Sequence, residues 1–253
     1  MRPRSKYAGG LPNSGTASPL LLRAGPLLLR ASELKPHTLV RICGRGALRT
    51  ATGGAGGASL PTWVAKTLRH APWVVVRRPP IHGGLVPVGV RGELRQQRFA
   101  AWLSLDEALE VVTPQALASC RSTRAVPALT GLPRVERIMC EHGLAGRWGP
   151  AGSVGFELAS GRPTVTASSD LDLVLEVDRP ELIADRLPAL WTELTALPVR
   201  VDVLLETAAG AVVLSEYVLV RRGEGRSFVL RTPTGPRLMQ SAAISSQAGS
   251  REA

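Results

Sequence analysis

The 253-residue sequence contains few cysteines, lysines and aromatic residues, and it has no long apolar run. Its three cysteines, Cys43, Cys120 and Cys140, are widely spaced and form no CxxC pair. They therefore indicate neither a zinc site nor a disulfide framework, and they fit a reducing cytoplasm. No apolar stretch approaches the roughly 20 residues that span a bilayer. The absences predict a soluble, cytoplasmic protein without a membrane partner.

Acidic residues are almost missing from one half of the chain. The net charge is +11, and residues 1–100 hold 16 Lys and Arg against two acids, whereas residues 101–253 hold 15 Arg against 18 acids. Only three of the basic residues are lysines. Arginine suits bidentate binding of phosphate. The same Ala-, Gly- and Arg-rich composition is equally typical of a GC-rich coding sequence, so composition alone leaves both explanations open.

Composition also divides the chain into segments. Residues 1–33 are rich in Pro, Gly, Ser and Arg with a single acid at the end, which predicts a disordered or mis-assigned leader. A smaller basic N-terminal domain is expected over residues 34–128, a catalytic domain over 129–240, and a disordered tail over 241–253. The Gly-rich stretch at 50–61 lacks the spacing of a phosphate-binding P-loop and is interpreted as a flexible connection.

Arginines gather in the second part of the basic half. The segment "WVAKTLRHAPWVVVRRPP" predicts a short helix and then a buried strand, Trp73 to Val76, that ends in two arginines. The next arginines are spaced by four and three residues, which puts them on one face if the chain is helical from Gly92 onward. A solvated helix face is the alternative to an anion-binding surface. The candidate anion-binding residues are Arg77, Arg78, Arg91, Arg95 and Arg98.

The pattern changes from helices to alternating strands and helices in the second half. Residues 104–142 are predicted to be helical, with a glycine stop at Gly143. Strands are expected at "GFELAS", "TVTASSDLDLVLEV", "VRVDVLLET" and "AVVLSEYVLV", with a helix at "RPELIADRLPALWTELTAL" that Pro188 kinks. This alternation predicts an α/β (α+β) fold with a mixed sheet flanked by helices.

Two carboxylates open an otherwise apolar strand in "TASSDLDLVLEV". Side chains alternate along a strand, so Asp170 and Asp172 share one face while the leucines pack on the other. The same rule puts Asp202 on one face of "VRVDVLLET", where it completes a triad if the two strands are neighbours. Converging carboxylates repel unless cations neutralise them, and hard oxygen ligands suit Mg²⁺ with substrate phosphates. The composition is that of a two-metal phosphoryl-transfer site.

The stretch "WGPAGSVGFE" lies upstream of the two aspartates. Gly152-Ser153, then Asp170-x-Asp172 and a strand aspartate, Asp202, resemble the nucleotidyltransferase superfamily that includes DNA polymerase β. The resemblance implies that Gly152 and Ser153 open a helix or turn whose backbone N–H groups and hydroxyl hold a triphosphate against the metals. The gap between the two motifs is longer here than in that superfamily.

Seven blocks over residues 36–240 resemble one narrower family. "VVVRRPP", "VPVGVRGELRQQRFAAW", "VTPQALA", "WGPAGSVGFELASG", "TASSDLDLVL", "DVLLETAAGAV" and "LRTPTGPRL" are similar to malonate decarboxylase holo-acyl carrier protein synthases, also called phosphoribosyl-dephospho-CoA transferases. The leader and the Gly-rich insert have no counterpart in it. The resemblance implies transfer of a 2′-(5″-phosphoribosyl)-3′-dephospho-CoA group from its triphosphate donor to a serine of the decarboxylase's acyl carrier subunit, with diphosphate released.

The implied roles agree with the chemistry that the residues themselves suggest. Asp170, Asp172 and Asp202 would be catalytic and bind Mg²⁺, with Asp202 alternatively the general base. Gly152, Ser153 and the five arginines would bind the donor or the acidic carrier. Two other functions fit less well: a nucleotidyltransferase that acts on another hydroxyl, and a basic nucleic-acid-binding protein. Aromatic residues, at 4%, provide few stacking platforms for nucleic acid.

Overall fold

The computed structural model describes residues 34–50, 60–81, 83–94 and 96–240. The predicted leader and tail, most of the Gly-rich connection and Arg95 lie outside these ranges, and so do the predictions made for them. The described chain forms two six-stranded sheets with helices packed against them. The expected α+β class is therefore confirmed.

The N-terminal sheet is wholly antiparallel, with strand order β2-β5-β4-β3-β1-β6. Its strands are β1 (Leu39–Ile42), β2 (Leu48–Arg49), β3 (Trp73–Val76), β4 (Leu85–Arg91), β5 (Arg98–Ser104) and β6 (Ala108–Val112). Helix α1 (Thr62–His70) precedes β3, so the predicted helix and strand in this segment are both confirmed. Val64 and Leu68, one turn apart on α1, are buried in the core of this sheet.

The C-terminal sheet has the order β12-β11-β10-β9-β8-β7. Its strands are β7 (Trp148–Pro150), β8 (Leu171–Glu176), β9 (Val201–Thr207), β10 (Gly210–Val213), β11 (Ser227–Thr232) and β12 (Gly235–Gln240). The helices of this half are α2 (Pro127–Thr130), α3 (Leu132–Glu141), α4 (Gly152–Ser160), α5 (Leu187–Thr195) and α6 (Leu214–Arg221). Strands β8 and β9 are parallel and are joined across α5. The other pairs of this sheet are antiparallel.

Strands β8 and β9 bury one face and present acids on the other. Leu171, Leu173 and Leu175 are at most 1% exposed and belong to the core that α3, α5 and α6 cover. Their sequence neighbours Asp172 and Glu176 point to the opposite face, as the alternation of a strand requires. The acids of this second face meet basic residues of the N-terminal half that flank strands β1 and β3.

Ion pairs join the two sheets across this face. Glu176 and Glu206 are register partners on the two parallel strands. Lys35 Nζ lies 2.6 Å from a carboxylate oxygen of Glu176. Arg78 donates hydrogen bonds from both terminal nitrogens to Glu206, and the His37 ring lies 3.5 Å from the same carboxylate. Part of the basic excess of the N-terminal half therefore neutralises acids of the C-terminal half.

Several predicted elements differ from the structure. The helix expected over residues 104–142 is wrong for Ala108–Val112, which forms strand β6 at the sheet edge; only α2 and α3 follow the expectation, and Gly143 does stop α3 with a φ of 70°. The condition under which the arginines around Gly92 would share a helix face is not met. Arg91 and Arg98 are instead register partners on β4 and β5.

The segment "GFELAS" was expected as a strand but lies in helix α4. Only the first part of "AVVLSEYVLV" is a strand, and α6 begins at Leu214. The helix expected from residue 179 begins at Leu187, with Pro188 in its first turn rather than at a kink, because proline at the first turn has no N–H that the helix needs. None of the helices within the described ranges has the length and apolar character needed to cross a bilayer.

Candidate active site

Asp172 and Asp202 form the centre of the site. They are register partners on the parallel strands β8 and β9, so their side chains project from adjacent strands on the same face. The adjacency of these two strands, on which the predicted carboxylate group depended, is confirmed. Asp172 is partly buried, and Asp202 has a side chain 42% exposed. The pair is therefore reachable from solvent while lying within the fold.

The charge environment of Asp172 is unfavourable for a lone carboxylate. Burial raises the pKa of Asp172 above its usual range, and the neighbouring carboxylates of Asp202 and Asp170 raise it further. The guanidinium groups of Arg91 and Arg98 act in the opposite direction. Since like charges disfavour ionisation and cations favour it, this cluster gains stability from any additional positive charge.

Asp170 lies just before β8 and is exposed. It is close enough to influence Asp172 electrostatically. Within the described ranges, no three His, Cys, Asp or Glu side chains lie together so as to hold a metal ion. Two adjacent carboxylates do fit Mg²⁺, which usually keeps several waters and is bound by one or two carboxylates plus substrate phosphates. The site has this composition without forming a complete protein cage.

Helix α4 begins beside Asp172. Gly152 has a φ of 55°, and a Cβ at this position would lie 1.9 Å from Oδ2 of Asp172. Ala151 N–H donates to the carbonyl of Asp172 over 2.8 Å, which holds the helix start against β8. The first N–H groups of a helix have no partner within it and carry partial positive charge. The expectation that the Gly-Ser pair opens a helix here is confirmed.

Close backbone packing fixes α4 in this place. A Cβ on Gly149 would lie 1.8 Å from the carbonyl oxygen of Pro114, and one on Gly155 would lie 2.6 Å from that of Pro150. The buried Glu157 anchors the other end of the helix. Arg124 Nη1 lies 2.7 Å from both of its carboxylate oxygens. Each glycine of "GPAGSVG" therefore occupies a position where a side chain would collide.

Hydrogen bonds hold Glu157 ionised. Its carboxylate accepts the backbone N–H groups of Thr164 and Val165 over 2.7 and 2.8 Å. Burial acts to raise the pKa of Glu157, but these N–H groups and Arg124 outweigh it and hold the pKa below its usual range. The result is a fixed loop between α4 and β8, and that loop leads directly into Asp170.

The predicted arginines divide into groups. Arg91 and Arg98 face each other at the end of the β4–β5 hairpin, and both act on the charge of Asp172. They thus lie close enough to Asp172 to affect its charge, through hairpin pairing and not through a helix. Arg95 lies outside the described residues. Arg77 is exposed, and its side chain packs near Gly89 on the neighbouring strand.

Arg78 has a different place from the one expected. Its side chain is 17% exposed, and both of its terminal nitrogens donate hydrogen bonds to Glu206. Arg78 therefore links the two sheets. The pair lies at the end of β9 away from Asp202, four residues along the strand. A strand rises about 3.3 Å per residue, which separates the two acids by roughly 13 Å.

Sequence reasoning missed residues that position this site. Arg200 stands two residues before Asp202 in the chain, and its Nη2 lies 3.2 Å from Asp202 Oδ2. Glu176 and Glu206 anchor the basic sheet. The signal was present in the sequence, since these acids continue the every-second-residue pattern of Asp172 and Asp202. The arginine partners were not recognisable from spacing.

This arrangement can perform a limited range of chemistry. The aspartates offer hard oxygen ligands or a proton acceptor, the start of α4 offers N–H donors to an anion, and the hairpin arginines add positive charge. The ingredients match phosphoryl transfer, in which positioning and charge stabilisation supply most of the catalysis.

Two family models match the chain. The model of the phosphoribosyl-dephospho-CoA transferase MdcG N-terminal domain matches residues 35–114, and that of the MdcG C-terminal domain matches residues 116–242. The first match contains the N-terminal sheet, and the second contains the C-terminal sheet. The domain boundary expected after residue 128 stays a prediction.

Curated relatives agree with the family models. A phosphoribosyl-dephospho-CoA transferase of Azotobacter vinelandii is 40% identical over 185 residues, which cover 68% of this chain and 85% of the relative. One of Klebsiella pneumoniae is 34% identical over 209 residues, covering 82% of this chain and 95% of the relative. One of Pseudomonas putida is 40% identical over 183 residues, with 71% and 84% covered. No solved structure matches the chain.

Proposed function

The chain belongs to the phosphoribosyl-dephospho-CoA transferase family of enzymes, and we propose that it loads an acyl carrier protein with its prosthetic group. The donor is the triphosphate of 2′-(5″-phosphoribosyl)-3′-dephospho-CoA. The acceptor is a serine of the acyl carrier subunit of malonate decarboxylase. The observation that carries the proposal is the register pairing of Asp172 with Asp202 beside the start of α4.

The proposed reaction is a nucleophilic displacement at the α-phosphorus of the donor. The serine oxygen forms a new bond to this phosphorus, and the bond from phosphorus to the β-phosphate oxygen breaks. The electron pair of that bond leaves with diphosphate. The serine proton passes to the carboxylate of Asp202, which is exposed enough to release it to water.

The chain's own groups support each part of this step. The N–H groups at the start of α4 and the hydroxyl of Ser153 would bind the phosphates that leave. Arg91 and Arg98, which act on the charge of Asp172, would offset the charge of the triphosphate. Gly152 keeps the space between the helix start and Asp172 open, because any Cβ there would fill it.

Mg²⁺ is the proposed cofactor, as one ion or two. Asp170 and Asp172 would hold it together with phosphate oxygens of the donor, while Asp202 accepts the serine proton. When bound, Mg²⁺ neutralises the charge of the α-phosphate and the diphosphate and lowers the pKa of the serine hydroxyl. The raised pKa of Asp172 supports this proposal, because the crowded carboxylates gain from a cation.

Intact mass spectrometry of the carrier tests the function. Purified apo-carrier subunit is incubated with the full chain, the triphosphate donor and Mg²⁺, and its mass is then measured. We expect an increase equal to one phosphoribosyl-dephospho-CoA group, located on a serine, and an equal amount of diphosphate. An unmodified carrier contradicts the proposal. In a parallel incubation with ATP in place of the donor, transfer of a plain nucleotide would assign the enzyme a different donor.

A further inference from the structure

One face of the N-terminal sheet is turned toward helix α4. Trp73 of β3 is buried in a cluster with Leu39 and Leu117, and Val75 of β3 and Phe156 of α4 pack against the same cluster. Side chains two positions apart on a strand share a face. The face of β3 that carries Trp73 and Val75 therefore looks toward the C-terminal half of the molecule.

Arg77 lies on this same face. Its backbone N–H donates to the carbonyl of Pro87 over 2.8 Å, which continues the pairing of β3 with β4. A Cβ built on Gly89 would lie 3.5 Å from Cγ1 of Val75 and 3.4 Å from Cδ of Arg77. The Arg77 side chain thus extends over Gly89, in the direction in which β4 runs toward Arg91.

Two small residues separate Arg77 from the arginines at the end of the hairpin. Gly89 and Ala100 are register partners on β4 and β5, and Arg91 and Arg98 are the partners two residues further along the hairpin. All four therefore share the face of Arg77. Ala100 is exposed and Gly89 is half-buried. This surface, the basic strip, consists of Arg77 at one end, Gly89 and Ala100 in the middle, and Arg91 with Arg98 at the other end.

Arg77 and its neighbour in the sequence have different surroundings. Arg78 is held by Glu206 and joins the two sheets. Arg77 is exposed, and no residue in the described ranges forms a hydrogen bond or an ion pair with its guanidinium. The charge of Arg77 is therefore not consumed by the described part of the fold, and the guanidinium can bind an anion from outside the chain.

The proposed donor has two separate anionic groups. One is the triphosphate, and the other is the diphosphate that joins the adenosine of dephospho-CoA to its pantetheine. About twelve bonds of about 1.5 Å each connect the first phosphorus atoms of the two groups through two ribose rings, so these atoms lie roughly 10 Å apart.

The spacing within the basic strip fits this separation. Arg77 lies opposite Pro87, four residues before Arg91 on β4, which at about 3.3 Å per residue is roughly 13 Å. The extension of the Arg77 side chain over Gly89 shortens that distance. A donor whose triphosphate lies beside Asp172 and Arg91 can therefore reach Arg77 with its second anionic group.

We propose that Arg77 binds the diphosphate of the dephospho-CoA part of the donor, with the sugar portion lying over Gly89 and Ala100. A guanidinium can bind a phosphate group through two parallel hydrogen bonds. A plain nucleoside triphosphate has a single phosphate chain and cannot occupy both ends of the basic strip. Arg77 thus selects a CoA-derived donor over ATP. This inference rests on the proposed function, because it assumes that the triphosphate binds beside Asp172.

Two probes separate the two ends of the basic strip. The first is 3′-dephospho-CoA, which has the diphosphate but no triphosphate, and the second is inorganic tripolyphosphate. Isothermal titration calorimetry measures the Kd of each for the full chain with Mg²⁺, in the wild type and in Arg77→Met and Arg91→Met. Arg69→Met is the matched control, since it removes the same charge from the exposed end of α1.

The two arginine variants should have opposite effects. We expect Arg77→Met to raise the Kd of dephospho-CoA about tenfold and to leave that of tripolyphosphate unchanged, with the reverse for Arg91→Met. Arg69→Met should match the wild type for both probes. Ala100→Trp, which fills the middle of the basic strip, should weaken dephospho-CoA alone. Equal Tm values for the wild type and the variants would show that folding is not the cause.

Other results would contradict the inference. If the wild type does not bind dephospho-CoA, or Arg77→Met binds it as tightly as the wild type, the assignment of Arg77 is wrong. If Arg77→Met weakens both probes equally, Arg77 supplies only general positive charge and no separate subsite exists. These measurements need no carrier. A carrier that stays unmodified while Arg77→Met selectively loses dephospho-CoA would therefore reject the proposed function and leave the subsite in place.

Discussion

The environment that suits Asp172 to a cation also destabilises its ionised carboxylate. Its pKa is raised by burial and by the neighbouring carboxylates, so the folded protein resists ionisation of this group. We expect Asp172→Asn to reduce transfer by about 10²-fold or more, since it removes a charge that a divalent cation at the transferring phosphate would need, while the fold survives. Carrier modification by intact mass checks the loss. Near-normal transfer would end the assignment of this aspartate to the site.

The same substitution has a predicted effect on stability. Because the folded pKa is raised, the destabilisation is absent below the unfolded pKa of about 3.9 and develops as pH rises through the folded pKa. Without Mg²⁺, Asp172→Asn should therefore have a higher Tm than the wild type at pH 7, by about 2–4 °C for each kcal/mol of destabilisation removed. At strongly acidic pH the two proteins should have the same Tm. A variant that melts lower at pH 7 would mean that Asp172 stabilises the fold.

Gly152 offers a second test at this scale. A Cβ here would collide with Asp172, and φ is 55°. Gly152→Ala should lower transfer strongly, whereas Gly146→Ala is the matched control, because Gly146 has a φ of 73° with no atom within 4 Å of its added Cβ. Both variants should lose about 1 kcal/mol or more from the left-handed backbone. Equal transfer rates in the two variants would show that the space beside Asp172 is unimportant.

At the scale of elements, helix α4 depends on the anchoring of Glu157. Two backbone N–H groups and Arg124 hold this carboxylate ionised. Glu157→Gln should cost about 1–3 kcal/mol at pH 7, the usual effect of disturbing a buried charged hydrogen bond. Denaturant unfolding measures it, with Glu141→Gln at the exposed end of α3 as the control.

The pH dependence of this difference has a defined sign. The folded pKa of Glu157 is lowered, so its contribution is fully present above the unfolded value of about 4.3 and is lost as pH falls through the folded pKa. The gap in stability between wild type and Glu157→Gln should therefore narrow in acid. A gap that is constant with pH would point to packing and not to charge.

A strand with clear alternation of apolar and polar side chains could be predicted from the sequence, whereas elements that depend on tertiary contacts could not. The alternation in "VRVDVLLET" predicts β9, and Asp172 and Asp202 meet as that alternation requires. The sequence "GFELAS" also alternates apolar and polar residues over Phe156 to Leu158, and that alternation predicts a strand where the structure has a helix. The helix is held by close packing at its glycines, because a Cβ on Gly152 would meet the side chain of Asp172 and one on Gly155 would meet the carbonyl of Pro150. Likewise, Arg91 and Arg98 face each other because of the register of a hairpin. Their spacing in the sequence also fits a helix, so it could not reveal this pairing.

For the whole molecule, opposite charges connect the two sheets. Arg78 and Glu206 form the most enclosed of the pairs that join them, with side chains 17% and 13% exposed. A double-mutant cycle of Arg78→Met and Glu206→Gln should give a coupling of about 1–3 kcal/mol. The exposed pair of Lys66 and Glu93, 3.5 Å apart, should give about 0–1 kcal/mol. Equal coupling in the two cycles would contradict a structural role for Arg78.

The N-terminal sheet also reaches the reacting centre, and this contact gives the last prediction. Arg91 lowers the pKa of Asp172 from across the boundary between the sheets. Arg91→Gln should therefore raise that pKa further and move the acidic limb of the transfer rate to higher pH. Donor KM should rise about tenfold if the guanidinium also binds phosphate, with a smaller change in Tm. Arg69→Gln, on the exposed side of α1, is the control. An Arg91 variant with an unchanged pH profile and donor KM would show that the basic sheet acts only as a scaffold, whereas a shifted profile with normal KM would assign Arg91 to tuning the carboxylates alone.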